Sequence, residues 1–205
     1  MTHVYDDKFS AMLKKLVYVT VSQEELKLAM YLIQKGADPN IRGTAFSSTI
    51  LMCAIFAQNP LSYIKALITD CGCDIEAKDS DGNSAIHYAL IGLNVPVVEW
   101  LFSNGLDINK KFILKNKTTL GYLHYFCPKI FDCPSSDEEK AIEIVKILID
   151  KGANLLEYDS DGHLPIDLIG ASPSSKFYEF VKYETIKKGS KKYIDRTLFP
   201  ITKKI

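Results

Sequence analysis

The chain has 205 residues, 25 Lys+Arg against 25 Asp+Glu, 47% hydrophobic residues and 24% charged ones. That is the balance of a folded soluble protein with enough length to bury a proper core, and it gives no argument for a nucleic-acid or membrane surface. No apolar run reaches the length of a membrane span.

Five cysteines, Cys53, Cys71, Cys73, Cys127 and Cys133, are odd in number and unevenly spread. They read as reduced thiols, and a cytoplasmic setting is expected, with the nucleus as the other choice. The opening "MTHVYDDKFSAMLKKLVYVTV" is acidic early and lacks a long apolar run, so no signal peptide is expected.

Residues 7–18, "DKFSAMLKKLVY", read as a first helix. A second is expected over 24–35, with "SQEE" (22–25) as a capping signal. Its end, "LAMYLIQKGADPN" (28–40), returns as "YIKALITDCGCDIE" (63–76), "VVEWLFSNGLDIN" (97–109) and "IVKILIDKGANLL" (144–156). Apolar spacings of three and four mark one face of an amphipathic helix. Gly36, Gly72, Gly105 and Gly152 stand where such helices end in the left-handed conformation.

The other half of the unit is "DSDGNSAIHYA" (79–89), repeated as "DSDGHLPIDLI" (159–169). "TAFSSTILMCA" (44–54) and "ILKNKTTLGYL" (113–123) are weaker copies. Gly82 and Gly162 fit a tight turn at positive φ. Ser84, Thr49 and Thr118 are candidate helix caps, and Pro165 suits the first turn of its helix. His87, Ser84 and Asp79 lie close in sequence, but such residues serve turns and caps before they serve catalysis.

On these two half-motifs the chain resembles the ankyrin-repeat family over roughly residues 8–185, with Ser84-Ala85-Ile86-His87 standing for Thr-Pro-Leu-His. The resemblance implies an all-α ankyrin-repeat solenoid of about five units, helix-turn-helix repeats joined by β-hairpin loops. The expected layout is an N-terminal capping unit (1–43), repeats at 44–76 and 77–109, a repeat at 110–156 with an inserted loop 126–140, a C-terminal capping unit (157–189) and a basic tail (190–205). The expected core includes Leu32, Leu51, Ala54, Leu67, Ile86, Ala89, Val98, Leu101, Leu120, Val145 and Leu148.

In that family the hairpin tips and first helices grip partners. The implied function is non-catalytic protein recognition, as an adaptor or inhibitor, by a monomer. "KKFILKNK" (110–117) carries four lysines and no acid, which suits an acidic contact surface. The register places Cys53, Tyr88 and Tyr122 at exposed positions on the first helices. The partner-binding candidates are therefore Tyr88, Lys110, Lys111, Phe112, Lys115, Lys117 and Tyr122. The competing reading tucks Phe112 and Ile113 into the stack and leaves the lysines to keep it soluble.

Two other roles stay open. One is a host-directed effector of an intracellular pathogen or virus. The other is nucleic-acid or acidic-surface binding by the end of the chain, where 182–205 holds eight Lys or Arg against two acids. "YIDRTLFPI" (193–201) is apolar enough to fold back or to dock on a partner.

No G-x-S-x-G, P-loop, H-E-x-x-H or G-x-G-x-x-G occurs. The four histidines, His3, His87, His124 and His163, are scattered. A zinc site of His124, Cys127 and Cys133 would lack an identified fourth ligand. No metal, cofactor or catalytic residue is expected.

Overall fold

Helix starts follow the polar caps. In a computed structural model that describes residues 5–17, 22–43, 46–113, 119–130, 137–170 and 175–189, α1 (Asp7–Leu16) begins after Asp6, whose carboxylate accepts from the Lys8 and Phe9 amides. α2 (Gln23–Gln34) opens on a full capping box: the Ser22 amide donates to Glu25 Oε2 (2.8 Å) and the Glu25 amide to Ser22 Oγ (3.2 Å). α3 (Ile50–Phe56) follows Thr49, and α5 (Ala85–Ile91) follows Ser84. Between and after them run α4 (Leu61–Thr69) and α6 (Val95–Ser103).

These six helices belong to one compact unit, Met1–Leu106 with Ile113–Lys117. α1 packs on α2, α3 on α4 and α5, and α6 on α4 and α5. α3 and α5 have seven residues each, too short to persist alone in water. Every residue of Ile50–Ile55 is buried, so packing on neighbouring helices supplies the stability.

The second unit is Asp107–Phe112 with Thr118–Ile205. A two-stranded ribbon, β1 (Phe112–Ile113) and β2 (Thr119–Leu120), precedes α7 (Tyr122–Phe126). Then come α8 (Glu138–Asp150) and α9 (Lys176–Lys188). Within this unit α8 packs on α7 and α9.

α2, α4, α6 and α8 end alike, at a glycine of positive φ. The Gly36 amide donates to Ile33 O (2.9 Å) and Ala37 to Leu32 O (3.0 Å); Gly152 donates to Ile149 O (3.0 Å) and Ala153 to Leu148 O (2.8 Å). This paired closure needs a left-handed residue, and the two glycines have φ of +104° and +106°. Gly72, Gly82, Gly105 and Gly162 also have positive φ, as the repeat requires. Just beyond each helix end an Asx turn recurs: Asp38, Asp74, Asp107 and Asn154 each accept from the amide two residues on (2.8–2.9 Å).

The expected core residues Leu32, Leu51, Ala54, Leu67, Ile86, Ala89, Val98, Leu101, Val145 and Leu148 are all at most 2% exposed. The Leu120 side chain lies outside what is described.

Three expectations need correction. The first concerns register after residue 112. Gly121, not Thr118, precedes α7, so Gly121-Tyr122-Leu123-His124 occupies the place of Ser84-Ala85-Ile86-His87. The alignment lies three residues later than a cap at Thr118 implied.

The second concerns the inserted loop, which is shorter than 126–140. Phe126 closes α7, and Cys127–Ile130 forms a 3-10 turn that buries Cys127 and Ile130. α8 has already begun at Glu138, since Glu138 and Glu139 in its first turn complement the helix dipole. The third is the first helix of the last unit, which is only the 3-10 turn Pro165–Leu168, with Pro165 at its start as expected.

Candidate functional site: the hairpin and first-helix surface

A turn geometry that recurs at Asp79 and Asp159 builds the site. The Asp79 amide donates to Asn83 O (2.8 Å), and Asp79 Oδ1 accepts from the Asp81 and Asn83 amides at 2.8 Å each. Gly82, at φ +90°, closes the turn. Asp79 Oδ2 accepts from Asn83 Nδ2 (3.1 Å) and from the Tyr88 hydroxyl (2.9 Å). A carboxylate can only accept, so Tyr88 spends its proton there. The Ser48 hydroxyl must therefore donate to Tyr88 Oη, 2.8 Å away.

At the start of α3, of α5 and of the Pro165–Leu168 turn, the side chain at the third position takes the amide that the cap leaves over. His87 Nδ1 accepts from Ser84 N (3.0 Å), and Asp167 Oδ2 accepts from Leu164 N (2.9 Å). Met52 Sδ faces Thr49 N at 3.4 Å, a weak acceptor in the same slot. His87 is thus a buried structural histidine that helps to set the helix start, the role expected of it.

Tyr88 is half-buried on α5, edge-on to Phe56 with ring centroids 6.3 Å apart. Burial, and then the Asp79 hydrogen bond and charge, push its phenol far above the usual range, while the Ser48 hydrogen bond partly opposes them. It is a neutral donor, not a base. Phe46, at 61% exposed, and Ile91, at 39%, stand beside it, and the three line one cleft together with Phe56 and Asp79.

The remaining candidates divide. Lys111 makes an ion pair with Glu157. Tyr122 is only 3% exposed, against the exposure expected of it, and Phe112, at 8%, follows the competing reading that tucks it into the stack, while Ile113, at 63%, does not. For Tyr122 the register shift is the cause: it puts the residue in the inward Ala85 slot, where its ring meets Phe112 at 5.3 Å. Phe112 also meets Tyr125 edge-on at 5.7 Å.

Cys53 too is buried, at 2% exposed, and burial pushes its thiol up to about 12. Lys110 is half-buried. Lys115 and Lys117 lie outside the described residues, as do His3, Cys133 and the tail 190–205.

Of the residues of the zinc reading, His124 and Cys127 are among the described ones. His124 is buried, its Nε2 3.0 Å from His163 O, and burial lowers its pKa despite the nearby carbonyls. Burial also pushes the Cys127 thiol up to about 12, which disfavours the thiolate that zinc needs. Asp159, Asp161 and His163 bring ligand atoms within 4.8 Å of one another, but they are the turn that corresponds to Asp79–Asn83. Asp159 Oδ1 already accepts from the Asp161 (2.9 Å) and His163 (2.8 Å) amides.

Residues 17–112 match the family model of ankyrin repeats, in three copies. These residues are ankyrin repeats. With helices predominating among the described residues, the fold class is the all-α ankyrin solenoid. Ankyrin repeats are protein-interaction modules, generally without catalysis of their own, so protein partners are implied. No helix among the described residues is long and apolar enough to cross a membrane.

The sequence reading missed Phe46, Phe56 and Ile91 as a group. Phe46 stood in a hairpin copy without Asp-x-x-Gly, which drew attention to its degeneracy rather than to its side chain. Phe46 and Ser47 both have φ +53° there, a conformation that non-glycine residues adopt only at a cost.

Proposed function

We propose that the chain recognises a protein partner through its hairpin tips and first-helix surface, as an adaptor or inhibitor, without catalysing a reaction. The observation that carries this reading is the exposure of large apolar side chains at the hairpins. Phe46 is 61% exposed and Ile113 63%, while α3 buries every residue from Ile50 to Ile55. Buried anchors of this size supply most of the affinity at interfaces once a partner covers them. Lys110, Lys111, Lys115 and Lys117 would attract acidic segments of the partner.

The test is quantitative capture from cytosol, comparing wild type with Phe46→Glu and with Lys110, Lys111, Lys115 and Lys117 all changed to Glu. Unfolding midpoints are measured in parallel. A partner that binds wild type saturably and is lost from a folded variant supports the reading. Equal capture by all three proteins removes this surface from it. Truncation after Gly189 separates a function that resides in the basic tail.

A further inference from the structure

The cleft beside Tyr88 has chemistry that singles out one kind of guest. Its volume is about 190 Å³. Small-molecule sites usually offer about 300–1,000 Å³, so the space suits one side chain rather than a free ligand. Phe46, Phe56, Tyr88 and Ile91 supply apolar walls. Asp79 and Asp81 also line it, and among the described residues no lysine, arginine or histidine does.

Asp79 is the informative member. It is 8% exposed. Its hydrogen-bond donors are the Asp81 and Asn83 amides, the Asn83 side-chain amide and the Tyr88 phenol, all of them neutral. Neutral donors solvate a buried carboxylate but do not cancel its charge. In a site of low dielectric the remaining field is strong, and it attracts a cation. The faces of aromatic rings favour a guest of the same sign.

We propose that this cleft receives a lysine or arginine side chain projecting from a protein partner. The aliphatic stem lies against Phe46 and Ile91, and the charged head sits over the aromatic faces in the field of Asp79. Lysine and arginine match this division, with an apolar stem and a cationic tip. The inference rests on the recognition reading above and adds the identity of the side chain that is recognised. It also assigns opposite electrostatic roles to two parts of the chain: the lysines of 110–117 attract acid, and this cleft attracts base.

The experiment uses the full chain, isotopically labelled, and follows the Ile91 methyl and Phe46 ring signals by NMR. The probes are N-acetyl-arginine methylamide and its neutral, nearly isosteric citrulline counterpart. The expected result is saturable shifts at both residues, with arginine bound roughly fivefold to thirtyfold more tightly than citrulline, the range of a partly desolvated cation–π contact. Added salt should weaken the arginine probe selectively.

Phe46→Ser, at an exposed position, should abolish the shifts while leaving the fold intact; Ile91→Ser gives a second, independent variant. Equal binding of arginine and citrulline overturns the cation assignment. Absence of shifts at Ile91 and Phe46 overturns the site. Capture of a partner that survives with no arginine preference would sink this inference and leave the recognition reading standing. Arginine binding at the cleft with no capturable partner would do the reverse.

Discussion

Replacing Tyr88 with Phe removes a single oxygen and keeps the ring that packs edge-on to Phe56. That oxygen joins two groups: it donates to Asp79 Oδ2 at 2.9 Å and accepts from Ser48 at 2.8 Å. Without it, the buried carboxylate retains three of its four donors and Ser48 loses its acceptor. A hydrogen bond to a charged group contributes about 1.5–3 kcal/mol, and leaving part of a buried acceptor unsatisfied falls in the same range.

Tyr88→Phe should therefore lower stability by about 2 kcal/mol, with a fall in Tm of roughly 4–8 °C for a chain of this length. Urea unfolding followed by circular dichroism measures the loss. Asp79→Asn and the double variant complete a cycle whose coupling energy should be about 1–3 kcal/mol. If the two substitutions add within about 0.5 kcal/mol, the phenol and the carboxylate are not coupled and the account of this network is wrong.

Leu148→Ala should cost about 2–5 kcal/mol in urea unfolding, because Leu148 is fully buried in α8. Leu101→Ala is expected to behave alike. Gly43→Ala should destabilise by about 1–3 kcal/mol for a reason that Gly105→Ala does not share. A Cβ at Gly43 would stand 2.5 Å from Val17 O, whereas at Gly105 it meets open space and only the positive φ is strained. A crystal structure of the Gly43→Ala protein should show the chain displaced at Val17.

His124 predicts a pH dependence. Burial lowers its folded pKa below the ordinary 6.5, so the unfolded chain binds a proton that the native one refuses. The stability contributed by neutral His124 is present above pH 6.5 and is lost as pH falls from there towards the lowered folded pKa. His124→Gln should flatten the stability profile in that window. An unchanged slope would mean that His124 is not the group responsible.

Much of the unit was legible because its signals are local. Glycine at a left-handed helix end, serine at a cap and leucine four residues before Gly36, Gly105 or Gly152 each carry a physical requirement of their own. Register after residue 112 was not legible in the same way. "NKTT" offers a candidate cap in Thr118, "GYLH" a small residue before an apolar pair, and the burial of Tyr122 and Leu123 goes with the second. The acids near 138 were ambiguous too, since a helix's first turn and a solvated loop favour the same residues. The cleft was hidden for another reason: Tyr88 and Ile91 share one face of α5, but Phe46 and Phe56 come from the preceding repeat, and nothing in the sequence marks them as neighbours of that face.

In the first unit, side-chain and backbone hydrogen bonds step from one ankyrin repeat to the next. Asp74 N donates to Asn40 Oδ1 (2.7 Å), Ser80 N to Phe46 O (2.9 Å) and Asn94 Nδ2 to Ile55 O (3.2 Å). Each bond belongs to the junction between repeats rather than to either repeat. Amide exchange should register this: the amides of Asp74 and Ser80 open only when the preceding repeat lets go, so their protection reports the strength of the seam. Neighbouring repeats then share one opening event, and a partner that clamps the hairpins on both sides of a seam slows exchange at amides it never touches.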